Sequence, residues 1–189
     1  MGCILKGGGG LYSRLVVGAV LLAAGAGSRL GHRPKSLLEL GGVPLIRRQL
    51  IALSGAGVDE VVVVLGHHAE AIEAAVRDFP VTIARNPEPG AGQASSVRVG
   101  LQALAGKLDA VIVALADQPL VNAQDITALI GAFKKRGNAS MVVPRVGGEP
   151  GNPVIFEAAL RDEWLAGEAD AACRRWREAG GQAPSRIQW

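Results

Sequence analysis

Two periodicities take turns along the chain. Residues 16–22 (VVGAVLL) form an uninterrupted apolar run, as a strand buried on both faces requires, because both of its side-chain rows meet packed layers. Further on, Leu45, Ile46, Leu50 and Leu53 share one face of a helix entered at Pro44, which predicts a helix over 44–53. EVVVVLG at 60–66 reads as a second buried strand, 69–78 as a helix, and VTIA at 81–84 as a short third strand. A helix over 93–105, a fourth strand at 109–117 (DAVIVALAD) and a helix from 122 or 123 to 135 continue the alternation. SMVVP at 140–144 and PVIF at 153–156 are two further strands around a glycine-rich connection, and a helix over 157–179 follows them.

Strands that alternate with helices build a mostly parallel sheet, since parallel neighbours need crossovers and the crossover helices cover both faces. The expected fold is α/β, a Rossmann-like three-layer sandwich. Ligands of such sheets bind at the carboxyl ends of the strands, near the point where strand order reverses. That rule selects the loops at 23–35, 85–92 and 116–120. With no internal repeat and no linker, residues 16–189 read as a single domain behind a leader, 1–15, whose GGGG suits a disordered or extended segment.

Composition narrows the class. The chain is 49% hydrophobic but 4% aromatic, so its apolar content is aliphatic, as helix-covered parallel sheets are. Cys3 and Cys173 lie far apart with no metal-ligand spacing, which fits reduced thiols in the cytoplasm rather than a disulfide framework or a zinc site. The net charge of +3 is spread over scattered Lys and Arg residues, so no concentrated basic face for nucleic acid is expected, while a site for small anions is compatible. Arg14 followed by LVVGAVLLAAGAG imitates a short signal peptide. It is too short to span a bilayer, and the cations at Arg29, Arg33 and Lys35 follow it at once, which favours a buried strand and no membrane role.

The stretch behind that strand, LAAGAGSRLGHRPK at 22–35, carries the first chemistry. Gly25, Gly27 and Gly31 give G-x-G-x-x-x-G, one residue too long for the dinucleotide fingerprint, and no G-K-[ST] is present to make a P-loop. Bare backbone at 24–28 can nevertheless approach a polyphosphate closely, with Arg29 as a planar fork and Lys35 as a mobile point charge in the same loop. Pro34 stiffens the approach to Lys35. Asp117, just past the fourth strand, can project into the crevice and ligate Mg²⁺ through oxygen, or it can cap the turn before Gln118 and Pro119. His67 and His68 fit ordinary loop residues better than a metal pair, because adjacent side chains project differently.

LLAAGAGSRLGHRPKSLLELGGVPLI resembles the signature LAAGxGxRxG…K of nucleotidyltransferases that move a nucleoside monophosphate from an NTP to an acceptor. NPEPGAGQASSVRVGL (86–101), ADQPLV (116–121) and GNPVIF (151–156) make the chain similar to the MobA-like nucleotidyltransferase family, in its molybdenum cofactor cytidylyltransferase branch. The resemblance covers about residues 16–156 and implies a nucleotide-diphospho-sugar transferase type of fold and a Mg²⁺-dependent enzyme. It would move CMP from CTP, or a related NTP, onto the phosphate of a molybdopterin-type acceptor and release pyrophosphate. Lys35, Arg29 and Asp117 are then the catalytic residues, and Asp117 is the metal ligand. Ala23, Ala24, Gly25, Ala26, Gly27 and Ser28 would hold the phosphates; Gly90, Gly92, Ala94 and Ser96 would hold base and ribose, with Ala94 and Ser96 in contact. Gln118 and Asn152 fall on the acceptor side.

Departures from the family pattern also carry expectations. Ala23-Ala24-Gly25 stands where guanylyl-transferring relatives tend to carry a glycine pair, which leans toward cytosine. Asn152 replaces the usual histidine with an amide that cannot titrate near neutrality, and the tail has GEADAACRR at 167–175, where Asp170 can supply a carboxylate or merely decorate a helix start. A phosphosugar acceptor is the alternative, suggested by PKSLLELGGVPLI. A non-catalytic carrier that serves a molybdenum hydroxylase apoenzyme is another.

Overall fold

A computed structural model describes residues 14–27 and 34–166. Its centre is a six-stranded sheet in the order β5-β4-β1-β6-β10-β7. These strands are β1 (Val17–Ala23), β4 (Glu60–Leu65), β5 (Thr82–Arg85), β6 (Ala110–Leu115), β7 (Met141–Val142) and β10 (Val154–Glu157). The helices are α1 (Leu45–Gly55), α2 (Ala69–Val76), α3 (Gln93–Ala103), α4 (Ala123–Lys134) and α5 (Ala159–Leu165). Strands β5, β4, β1 and β6 run parallel, and β10 is antiparallel to both β6 and β7. The expected α/β class holds. The fourth strand is trimmed to Leu115, so Asp117 stands in the loop beyond it. The expected tail helix is present as α5 to Leu165, and the part beyond Ala166, like residues 1–13 of the expected leader 1–15, lies outside the described residues; of that leader Leu15 packs against the core and Arg14 donates to Gly57 O at 2.8 Å.

Side-chain alternation divides the core into two layers. Ala19 and Leu21 of β1, Val63 and Leu65 of β4, and Ile112 of β6 pack with Ile46, Leu53, Ile72, Leu129 and Phe133 from α1, α2 and α4. The intervening residues Val20, Leu22, Val62, Val64, Val111 and Val113 pack with Val97 and Leu101 of α3, and Trp164 of α5 lies against the same layer. Gly100 explains how closely α3 sits: a Cβ there would lie 2.2 Å from Val20 Cγ1 and 2.8 Å from Val64 Cγ2.

Two small hairpins were not legible as strands. β2 (Glu39–Leu40) pairs with β3 (Val43–Pro44), and β8 (Arg145–Val146) pairs with β9 (Glu149–Pro150). Both turn through Gly-Gly, with φ of 63° and 76° at Gly41 and Gly42 and of 59° and 91° at Gly147 and Gly148. Two consecutive positive φ values are what the tight hairpin turn demands, and glycine supplies them without strain.

The parallel register brings the ends of β1, β4 and β6 level, with Leu22 opposite both Val64 and Leu115. Because β4 and β5 lie on one side of β1 and β6 on the other, strand order reverses at β1, and the loops after β1 and β6 diverge there. At the other end of the sheet the carboxylates tie down chain. Asp109 Oδ2 accepts from Val16 N at 2.7 Å and Asp59 Oδ2 from Val17 N at 2.8 Å. Glu60 accepts from Ala105 N at 2.8 Å and Gly106 N at 2.9 Å. Among the described residues no helix is long and apolar enough to cross a membrane.

Candidate functional site

At the carboxyl edge, where strand order reverses, a cavity of about 440 Å³ opens. Ala23, Ala24, Gly25, Ala26 and Gly27 form one wall, continuous with the end of β1. Lys35 and Ser36 enter from a short 3-10 turn, Lys35–Leu37, that follows Pro34. Pro89, Gly92, Gln93 and Ser96 close the opposite wall, and Leu115, Ala116 and Asp117 contribute the end of β6. Lys35 and Asp117 therefore line one shared space although they lie far apart in the sequence. Neither makes an ion pair with any described residue, in contrast to Arg47, Arg85 and Arg136, which all do.

Of the other residues singled out from sequence, Gly90, Ala94, Gln118 and Asn152 are not among the lining. Ala94 is exposed and Gly90 lies in a 3-10 turn, Pro89–Ala91. Gln118 and Asn152 are half-buried, and their Oε1 and Oδ1 atoms find no partner among the described residues. Ser28, Arg29 and Asp170 lie outside the described residues.

The glycine wall is shaped by backbone contacts. His67 N donates to Ala24 O at 3.4 Å, and His68 Nε2 comes within 3.5 Å of Ala26 O. In a trans peptide the next N–H points opposite to the carbonyl. The Gly25 and Gly27 amides therefore point away from the His67-His68 turn, and neither has an acceptor among the described residues. The histidines thus brace the loop. His68 itself stands at φ 60°, and Gly27 at φ 63°. Gly66 permits the close approach of both walls, since a Cβ there would meet Pro89 Cβ at 2.7 Å and Ala24 O at 2.9 Å.

The opposite wall is held by side chains. Asn86, buried, donates from Nδ2 to Ser95 Oγ at 2.8 Å and Ser96 Oγ at 2.9 Å, and its Oδ1 accepts from Glu88 N at 2.9 Å. Ser95 Oγ donates back to Gly92 O at 2.8 Å. Ser96 Oγ accepts there, and Ser96 also lines the cavity. Gly92 precedes α3 at φ 94°, ψ 175°, a backbone state that an L side chain resists.

Asn86, Ser36, Gln93 and Pro89 were not singled out by sequence reasoning. Ser36, Gln49, Asn86 and Ser96 are the buried polar side chains among the described residues. Two of them line the cavity and the other two hold its loops. A buried polar group persists only where hydrogen bonds satisfy it, so this concentration marks the edge that is built for more than packing.

Backbone amides with one charge of each sign, gathered at the reversal point of a parallel sheet, are the equipment of a nucleotide-binding α/β protein. Comparison with known proteins gives the family. The model of the MobA-like NTP transferase domain matches residues 19–184, and the chain belongs to that nucleotidyltransferase family.

It is 36% identical over 150 residues to nicotine blue oxidoreductase of Paenarthrobacter nicotinovorans, covering 77% of this chain and 72% of that protein. It is 34% identical over 170 residues to the 2-C-methyl-D-erythritol 4-phosphate cytidylyltransferase of Thermobifida fusca, covering 87% and 68%. A solved nucleotidyl transferase from Methanothermobacter thermautotroptrophicus superposes with a TM-score of 0.73 at 27% identity, covering 92% of this chain and 87% of that one. The bifunctional GlmU protein of Kineococcus radiotolerans is 37% identical over 148 residues, but the match spans only 29% of its length.

Proposed function

We propose that this chain transfers CMP from CTP to the phosphate of molybdopterin, in its molybdenum-bearing form, with release of pyrophosphate. The observation that carries the reading is the meeting of Lys35 and Asp117 across the glycine wall in one cavity. The cytidylyl donor is supported by the likeness to a cytidylyltransferase and by Ala23-Ala24-Gly25 where guanylyl-transferring relatives favour glycines. The acceptor is supported by the resemblance of the 86–101, 116–121 and 151–156 stretches to the cofactor cytidylyltransferases. The product would be passed in the cytoplasm to a molybdenum hydroxylase apoenzyme.

The residues present fit a divalent ion. Among the described residues no group of three or more His, Cys, Asp or Glu could enclose a metal, and Asp117 is the one carboxylate on the lining. One carboxylate plus substrate phosphates is a usual setting for Mg²⁺, so Asp117 would hold it there. When bound, the ion neutralises charge on the triphosphate.

The chain's own residues do the rest. The Gly25 and Gly27 amides meet phosphate oxygens, and Ala23 and Ala24 let the chain approach without side-chain obstruction. Gly92 and Ser96 flank base and ribose. Gly90 shapes the turn around them and Ala94 stands in the first turn of α3 beside them, while Gln118 and Asn152 face the acceptor. Lys35, with Arg29 from the same loop of the sequence, offsets the charge that builds on the phosphoryl oxygens as the acceptor oxygen attacks the α-phosphorus. The new O–P bond forms as the bond from the α-phosphorus to the bridging oxygen breaks, and pyrophosphate leaves with the electron pair. Holding both partners in line accounts for much of such a rate enhancement, and no covalent enzyme intermediate is required.

Pyrophosphate release, measured with CTP, GTP and ATP against molybdopterin and a set of sugar phosphates, tests the reading. Release from CTP with molybdopterin is expected. Release only with sugar phosphates would replace it with the second reading, which the stretch PKSLLELGGVPLI favours. Magnesium-dependent CTP binding without release would leave a carrier. A parallel NADPH titration is the control set by the relative named an oxidoreductase.

A further inference from the structure

We infer that Gln49 is a positioning residue of the site: through two hydrogen bonds it sets the turn that presents Asp117 to the cavity. The inference rests on the nucleotidyl-transfer reading for Asp117's task. Gln49 lies in the apolar stripe of α1, between Ile46 and Leu53, where the helical period calls for another aliphatic residue. Its relative exposure is 0%. An amide buried so deeply in a hydrophobic layer needs partners, and both are backbone carbonyls of one turn. Nε2 donates to Gln118 O at 2.6 Å and to Val121 O at 3.3 Å. Two carbonyl acceptors require the NH₂ end of the amide there, which fixes its orientation. Oε1 is buried without a partner among the described residues.

Besides these bonds the turn is held by Val121, which packs partly buried against the core. Leu120 is 85% exposed, Pro119 is exposed and has no N–H to donate, and Asp117 makes no hydrogen bond with a described residue. On its far side Asn122 starts α4 with a reciprocal cap, accepting from Gln124 N and Asp125 N while Asp125 accepts from Asn122 N. That cap fixes the helix, not the residues before it. On the near side Ala116 N donates to Leu22 O at 3.0 Å, the last ladder contact of β6. Between Ala116 and Asn122 the two Gln49 bonds are the side-chain hydrogen bonds made to the turn among the described residues, and Gln118 O, one of the two acceptors, directly follows Asp117 in the chain. Supporting groups of this kind commonly change metal affinity when removed, because the ligand loses its aim rather than its identity.

The test compares wild type with Q49M, which keeps the volume and removes the donor, and Q49E, which keeps the shape and offers acceptors where donors are needed. Mn²⁺ is titrated into the CTP-bound proteins and free ion is read by electron paramagnetic resonance, beside kcat, KM for CTP at saturating Mn²⁺, and a thermal melt. Both variants are expected to bind Mn²⁺ roughly tenfold or more weakly and to lose kcat by a similar factor, with KM for CTP changed by less than about threefold. If one variant fails to fold, the other decides.

Folded variants whose Mn²⁺ affinity and kcat stay within about twofold of wild type would overturn the positioning role. A wild type that turns over no acceptor, yet loses Mn²⁺ affinity on either substitution, would remove the cytidylyl reading and keep Gln49's role. Normal turnover with unmoved affinity would remove only the role. A wild type that binds no Mn²⁺ in its CTP complex would remove both.

Discussion

The two ends of one sheet are built on opposite terms. At the amino end Asp59, Glu60 and Asp109 each accept from backbone amides, Asp59 and Asp109 tying down the start of β1 and Glu60 joining β4 to the loop after α3. At the carboxyl end Lys35 and Asp117 have no such partners among the described residues, glycines replace side chains, and the buried polar groups serve loops rather than strands. A charge paired within the fold stabilises it and is unavailable to a ligand, whereas an unpaired charge in a concave site is free to meet one. The contrast predicts that substitutions at the two ends separate activity from stability.

The largest expected effect is at Lys35. Lys35→Ala should lower turnover by roughly a hundredfold or more while the melting temperature holds, because the ammonium meets transition-state charge and pairs with no carboxylate among the described residues. Steady-state kinetics beside a thermal melt check this, and an unchanged kcat would end its catalytic role.

Asn86→Ala comes next and lies between the two cases. Losing both serine contacts and the Glu88 amide should cost about 1–3 kcal/mol, appearing as roughly a tenfold rise in KM for the nucleotide with a smaller fall in kcat. A fall in kcat alone would mean that the wall does not touch the nucleotide.

Glu60→Gln sharpens the comparison from the other side. An amide replaces one acceptor oxygen with a donor opposite the Ala105 and Gly106 N–H groups, so stability should fall by about 1 kcal/mol in chemical denaturation, with kcat unchanged.

The smallest effect belongs to the exposed Arg47–Asp78 pair, 2.7 Å apart. The hydrogen bond from Arg47 holds the Asp78 carboxyl below the usual carboxylate range. Its contribution is therefore present above the unfolded pKa and is lost as pH falls through the folded one. Asp78→Asn should lower the melting temperature slightly at neutral pH and not at all in strong acid, and a difference that persists in acid would assign the effect to packing around Phe79.

The parallel half of the molecule was legible because a strand buried on both faces is apolar at every position, a pattern that survives without knowledge of its neighbours. The loops following β1 and β6 were legible for the same reason, as chemistry-bearing residues at the ends of such runs. The antiparallel placement of β10 was not, since four apolar residues carry no direction. The hairpins at 41–42 and 147–148 hid in plain Gly-Gly turns whose flanking strands are two residues long.

Gln49 and Asn86 were hidden more deeply. A glutamine in a helix and an asparagine before proline read as surface residues, and only three dimensions show that Gln118, Val121, Ser95 and Ser96 come to meet them. Ala94 illustrates the converse: a motif position beside Ser96 that the helix turns outward.

Calorimetric titration of CTP into wild type and Asp117→Ala, with and without magnesium, addresses the shared cavity most directly. Wild type is predicted to bind CTP tightly only with magnesium present, and the variant to lose that dependence together with most of its affinity. Equal, magnesium-independent binding by both proteins would contradict the joint action of Lys35 and Asp117 on one triphosphate.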